Sequence, residues 1–325
     1  MGISLVKYTT VAELEPKWGV LSEQAIQPLN IQQNHHRDVM AIYYHQRAKF
    51  DAAIGDNSID SSEVKFHSPL NKQIQLFAQG LNYASHRNES GSSNKPQDAQ
   101  NLFFYKSPSS ICGPNDDILR PRGCELLDYE VELGLVLKKD LLGETQISKQ
   151  NLGQYIGGLI LCNDVSARDE QFGASILQWF KGKSFRTFCP VGPVLYLIDE
   201  QDIAQIYNLD LQLKLNGEVK QQANTKELIH SPEKSLTDIS EFADLNAGDC
   251  VLTGTPGGVL VAHSLKIALS VLFNFANDKK RRAKFTAAQK AASTFLQPGD
   301  KLQLCLKSPD GKINLGIQNN VIKDA

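Results

Sequence analysis

Three acids stand at alternate positions in "LDYEVELGLVL", residues 127–137: Asp128, Glu130 and Glu132. On a β-strand they share one face, with neighbours roughly 6.5–7 Å apart. Two carboxylates so placed can converge on one cation through oxygen ligands. Without a cation they repel, and burial makes that repulsion costly. The same spacing also suits the wet face of an antiparallel strand, so the pair alone decides nothing. A further acid, Asp164, stands where the apolar run "LILCN" ends. It is either a turn or cap residue or a third oxygen ligand, and an oxygen-only set selects Mg²⁺, Mn²⁺ or Ca²⁺ over zinc.

Other residues have the types that proton transfer needs. In "QGLNYASHRNES" the spacing of His86 and Glu89 is i, i+3, which on a helical turn lets the carboxylate orient the imidazole as a general base. The same spacing fits a capped surface helix. "WFKGKSF" sets Lys181 and Lys183 among aromatics, as surface charges or as stabilisers of a developing oxyanion. "TGTPGG" at 253–258 is a Gly-rich turn carrying Thr255; no G-K-[ST] follows, so it is not a nucleotide-binding P-loop.

These residues need a scaffold, and the chain supplies mostly strands. From about residue 73, short β-rich runs alternate with Gly, Pro and Asn, and "NG" at 216–217 reads as a hairpin turn. This texture predicts an α+β, sandwich-like fold rather than a doubly wound sheet. Residues 1–70 read as a small, mainly helical N-terminal module, with adjacent His35 and His36 as surface or interface residues. Residues 71–325 form the larger unit, and 260–295 reads as a helical insertion whose second helix carries the solvated basic cluster "KKRRAK".

The 325 residues are 41% hydrophobic, enough for a sizeable core, and a net charge of −2 gives no general attraction to nucleic acid or anionic membrane. The N-terminus lacks the pattern of a secretory signal, and no run approaches a membrane span. Six scattered cysteines without a C-x-x-C pair point to free thiols in a reducing compartment, so the expectation is a cytoplasmic protein.

In chain order, "GLNYASHRNE", "FFYKSPSS", "LDYEVELGLV", "GGLILCNDVSARDEQ", "GKSFRTFCPVGP", "LTGTPGGV", "FLQPGDKLQL" and "LGIQNNV" make the chain resemble the fumarylacetoacetate hydrolase superfamily over about residues 70–325. The resemblance implies a mixed β-sandwich roll, a homodimer, and one divalent cation, Mg²⁺ or Mn²⁺ with Ca²⁺ as a third choice. It places the metal ligands at Glu130, Glu132 and Asp164. The strand before the histidine, "LFAQG", offers no further acid, so water and substrate complete the shell. By the same resemblance His86, Glu89 and Lys183 are catalytic, and Arg168, Gln171 and Thr255 contact substrate. The implied activity is hydrolytic C–C cleavage of an acylpyruvate-type 2-oxo acid. Decarboxylation, (de)hydration or isomerisation at the same site is the alternative. An inactive metal-binding or assembly subunit is the reading from a different class.

Overall fold

The structure is a computed structural model that describes residues 2–91, 100–262 and 277–325. Its centre is the strand Val131–Leu137, which pairs antiparallel with Ile156–Asn163 on one side and with Cys250–Leu252 on the other. Every residue of Val131–Leu137, Ile156–Asn163 and Cys189–Leu197 is buried. A sheet covered on both faces needs apolar side chains on both, and these strands accordingly read as near-continuous aliphatic runs.

Two different layers provide the cover. On one face, Leu133 and Leu135 share a core with Leu211, Leu213, Leu302 and Leu304 of a five-stranded sheet. On the other, Val39, Met40 and Tyr43 of the helix His36–His45 pack with Leu5, Val136, Ile160 and Leu195. The large sheet is mixed, because Cys250–Leu252 runs parallel to Leu76–Gly80. The result is the α+β sandwich roll expected from the sequence. The "NG" turn is also present: Leu215 pairs with Glu218, and Asn216 and Gly217 have φ of 52° and 87°, the double positive φ of a two-residue hairpin.

The first seventy residues depart from the mainly helical expectation. They contain five strands and two α-helices, and Ile3–Thr9 pairs antiparallel with Cys189–Leu197, extending the large sheet. Strands such as "KWGVLS" and "AIQP" are short and mixed in polarity, so the pairing partner, not intrinsic pattern, decides their state. His36 takes the interface reading and not the surface one. It is fully buried; its Nε2–H donates to the Gly248 carbonyl (2.8 Å), while Nδ1 accepts from the Asn71 N–H (3.1 Å). His35 is the helix N-cap and stacks on it at 4.6 Å.

Of the expected insertion, residues 263–276 lie outside the described residues, and the second helix is Asp278–Ala292. Its basic cluster is only partly solvated. Lys279, Lys280 and Lys284 are exposed, but Arg282 pairs with Asp169 (3.0 Å) and with Glu170, docking this helix on Arg168–Phe172. All six cysteines are free. Among the described residues no helix is long and apolar enough to cross a membrane.

Burial pushes the His36 imidazole from 6.5 down to about 4. The unfolded chain therefore binds a proton there that the folded chain refuses between these two values. Stability should fall as pH drops from 6.5 towards 4, by up to about 3 kcal/mol from this group. An NMR titration is expected to show His36 neutral down to pH 5; a midpoint near 6.5 would contradict the buried placement.

Candidate functional site

The alternation of acids does not run along one unbroken strand. Leu127–Asp128 pairs with Ser166–Ala167 in a separate two-stranded ladder, and the central strand begins only at Val131. Glu130 sits in the gap. Its N–H donates to Asn163 Oδ1 (3.0 Å), and its carbonyl accepts the Asp164 N–H (2.8 Å). These bonds lock the start of one strand against the end of its neighbour. Glu130, Glu132 and Asp164 are thereby buried together, with one carboxylate oxygen of each within 4.8 Å of the others.

Asp128 takes another role. Its carboxylate accepts the backbone N–H groups of Tyr129, Leu260 and Val261 (2.9–3.2 Å) and the Arg168 Nε–H (2.8 Å). It anchors Arg168 and the 260–261 turn and is no member of the trio.

Buried cations hold the acids together. Lys183 Nζ donates to Glu130 (2.6 Å), Asp164 (2.7 Å) and Ser166 Oγ (2.9 Å), which uses all three of its N–H groups. Arg168 bonds Asp128, Glu130 (2.5 Å) and Gln171 (2.9 Å). Sequence reasoning missed Lys106. It is fully buried, lies 2.7 Å from Asp164 and bonds the Lys183 carbonyl. A lysine set between "FFY" and "SPSS" was the available signal, since a charge so placed needs a buried partner. Lys181, by contrast, is exposed and pairs with Glu170 at 2.6 Å.

The electrostatic consequences differ among the acids. Burial alone would raise the Glu130 pKa, but Lys183 and Arg168 hold it far below the usual carboxylate range. Glu132 goes the other way: burial, then the charges of Asp164 and Glu130, push it well up. One of its oxygens accepts the Gly254 N–H (2.7 Å), while Oε1 is buried with no hydrogen-bond partner. Three oxygen donors, one buried oxygen unpaired and like charges pressing on Glu132 are the features a hard divalent cation fits.

Beside the trio lies a cavity of about 340 Å³, lined by His86, Glu130, Arg168, Gln171, Lys183 and Thr255 among others. His86 is 7% exposed, and its Nδ1 is buried without a hydrogen-bond partner. It belongs to the short helix Ala84–Glu89, which the Gly-rich turn holds in place. The Glu89 carboxylate accepts the Gly258 N–H at 3.0 Å, and Ser85 Oγ accepts that of Gly257 at 3.0 Å. Gly258 has φ +99°, and a Cβ there would strike the Lys220 carbonyl, so only glycine fits. Glu89 Oε2 lies 3.9 Å from His86 Nδ1, close but beyond hydrogen-bond reach. Thr255 faces the cavity, yet its hydroxyl donates to the Val131 carbonyl (3.0 Å) and accepts from Gln221 (2.8 Å). Gln171 Nε2 is buried without a partner.

Two substitutions probe this centre. Glu132→Gln should weaken Mn²⁺ binding at least about tenfold by calorimetric titration, because the unpaired anionic oxygen is lost; unchanged affinity would contradict the ligand assignment. Lys106→Met should cost about 3–5 kcal/mol in urea unfolding, since it strips Asp164 of a buried partner. A loss below about 1 kcal/mol would show that Lys106 is not part of the charge balance.

Comparison with known proteins places the chain in a family. The fumarylacetoacetate (FAA) hydrolase C-terminal family profile matches residues 75–323. The Bos taurus protein named oxaloacetate tautomerase FAHD2A, mitochondrial, is 38% identical over 198 residues, covering 61% of this chain. The chain spans about 60% of that relative's length in the match. Among solved structures, the fumarylacetoacetate hydrolase (EaFAH) from psychrophilic Exiguobacterium antarcticum has a TM-score of 0.74 at 24% identity, covering 99% of this chain and 100% of that one. The maleylpyruvate hydrolase from Sphingobium sp. SYK-6, solved with manganese(II) and pyruvate, has a TM-score of 0.69 at 18% identity, covering 99% of each chain. With the family profile spanning most of its length, this chain belongs to the fumarylacetoacetate hydrolase family.

Proposed function

We propose that this chain is a divalent-cation-dependent enzyme that takes a 2-oxo acid through its enol. Keto–enol tautomerisation is the first reading, in line with the name of the 38% identical relative. The single observation that carries the proposal is that His86 and Glu130, one member of the carboxylate trio, line one cavity. A buried carboxylate trio with an unpaired oxygen lies beside an imidazole whose Nδ1 has no partner. A bound cation, held by Glu130, Glu132 and Asp164, would supply electrophilic polarisation of the substrate's oxygens.

His86 is the general base and acid. In tautomerisation it takes the proton from the carbon beside the keto group, and the keto oxygen gains one, so the reaction balances without a co-reactant. Glu89, at 3.9 Å, is placed to offset the charge that the imidazole gains on taking a proton. Gln171, with its unpartnered Nε2, donates to a substrate oxygen. Arg168 and Lys183 act chiefly by holding Glu130 and Asp164, and Thr255 by shaping the wall.

Hydrolytic C–C cleavage of an acylpyruvate is the second reading. The favouring observation is the aromatic stretch of wall formed by Phe104, Phe172 and Trp179, which offers room for an acyl group. There His86 takes a proton from water, and the resulting hydroxide adds to the distal carbonyl. The C–C bond breaks with its electron pair left on the carbon beside the keto group, and that carbon is then protonated.

The test is a screen of oxaloacetate and acylpyruvates with metal-stripped protein reloaded with Mg²⁺ or Mn²⁺. Enol absorbance should decay only with metal present, and product analysis separates tautomerisation from cleavage, decarboxylation and loss of water. His86→Ala should lower turnover by about 10²–10⁴-fold while Mn²⁺ still binds. Full turnover in that variant would overturn the role of His86. No turnover of any 2-oxo acid by metal-loaded protein would favour an inactive binding subunit instead.

A further inference from the structure

The cavity has two chemically distinct ends. At one, Glu130, Arg168 and Lys183 form a closed network of ion pairs. From there the wall turns aromatic. The Phe104 ring centroid lies 5.1 Å from Lys183 Nζ, the Trp179 indole 5.3 Å beyond Phe104, and Phe172 meets Trp179 edge-on at 6.0 Å. All three rings are half-buried, so they present apolar surface that an occupant would cover. Gly80 faces them: a Cβ there would already touch Trp179 at 3.5 Å, so its lack of a side chain keeps the indole open on that side.

The charges of the lysine and arginine in the described lining are already paired with acids. Lys183 has no N–H left over, and Arg168 directs three of its five N–H groups to Asp128, Glu130 and Gln171. A carboxylate at the far end of a substrate would therefore lie against the negative faces of aromatic rings, with no lysine or arginine of the described lining free of an acidic partner to meet it. An alkyl or aryl group there would gain by covering the rings.

We propose that this enzyme selects 2-oxo acids whose distal group is apolar, in contrast to the dicarboxylate oxaloacetate named for its relatives. This selectivity rests on the reading of the cavity as a 2-oxo acid site, and it assigns Phe104 and Trp179 as specificity-determining residues.

A matched pair of ligands tests it. In 4-methyl-2-oxopentanoate a branched methyl pair stands where oxaloacetate has its second carboxylate, so shape is nearly kept while charge is removed. Both are titrated calorimetrically into Mn²⁺-loaded protein, with pyruvate as the reference head group. The apolar isostere should bind at least about tenfold more tightly than oxaloacetate, and Trp179→Ala should abolish most of that advantage. In a Trp18→Phe background Trp179 is the only tryptophan, and its emission should shift with the apolar ligand at the same midpoint. Pyruvate binding with equal or tighter binding of oxaloacetate would overturn the selectivity alone. An advantage that survives Trp179→Ala would overturn the assignment of the aromatic wall. Failure of all three ligands to bind would overturn the 2-oxo acid reading, and the selectivity with it.

Discussion

Keeping like charges together inside a covered sheet is the constraint on which the rest of this molecule depends. Four carboxylates (Asp128, Glu130, Glu132 and Asp164) are buried beside three cations, Lys106, Arg168 and Lys183. Water cannot screen them there, so each must be placed within hydrogen-bond reach of a partner. The cations come from three separated parts of the chain, which makes the cluster a fastener of tertiary structure as well as a site. Glu132 is the exception, with one oxygen unpaired and its pKa driven up by burial and its acidic neighbours. That local cost falls on an acid proposed as a cation ligand.

The layers can be understood as the means of holding this cluster. The central strand must be covered on both faces to exclude water, and the five-stranded sheet and the His36–His45 helix each cover one. The Gly-rich turn touches the cluster and the His86 helix together: Gly254 bonds Glu132, and Gly258 bonds Glu89. His86 and the carboxylates are thus referenced to one piece of backbone. Asp128 does the same on another side, tying Arg168 to the 260–261 turn that leads into the cavity wall.

Much of this was legible in the residues. Aliphatic runs such as "LILC" and "VLYL" read as strands, and the acids beside them read either as paired ligands or as a wet strand face; their burial decides against the wet face. The Asn216–Gly217 turn was readable because its positive φ values need those residue types. What escaped depends on partners distant in sequence. Lys106 looks like any lysine until Asp164, 58 residues later, is brought beside it. His36 becomes a buried neutral imidazole only because Gly248 and Asn71 receive it. Ile3–Thr9 pairs with the edge that Cys189–Leu197 offers, and the other short strands of the first seventy residues build outward from Ile3–Thr9. The alternation of Asp128, Glu130 and Glu132 does not run along one strand, since the ladder is broken at Tyr129 and Glu130, and Asp128 takes its place as a neighbour that holds Arg168.

The central claim is that Glu130, Glu132 and Asp164 form one divalent-cation site. The most direct measurement is anomalous X-ray scattering from a crystal grown with Mn²⁺. A single strong peak is predicted at roughly 2.0–2.5 Å from a carboxylate oxygen of each of these three residues. No peak among them at saturating Mn²⁺, or a peak that excludes Glu132, would contradict the account.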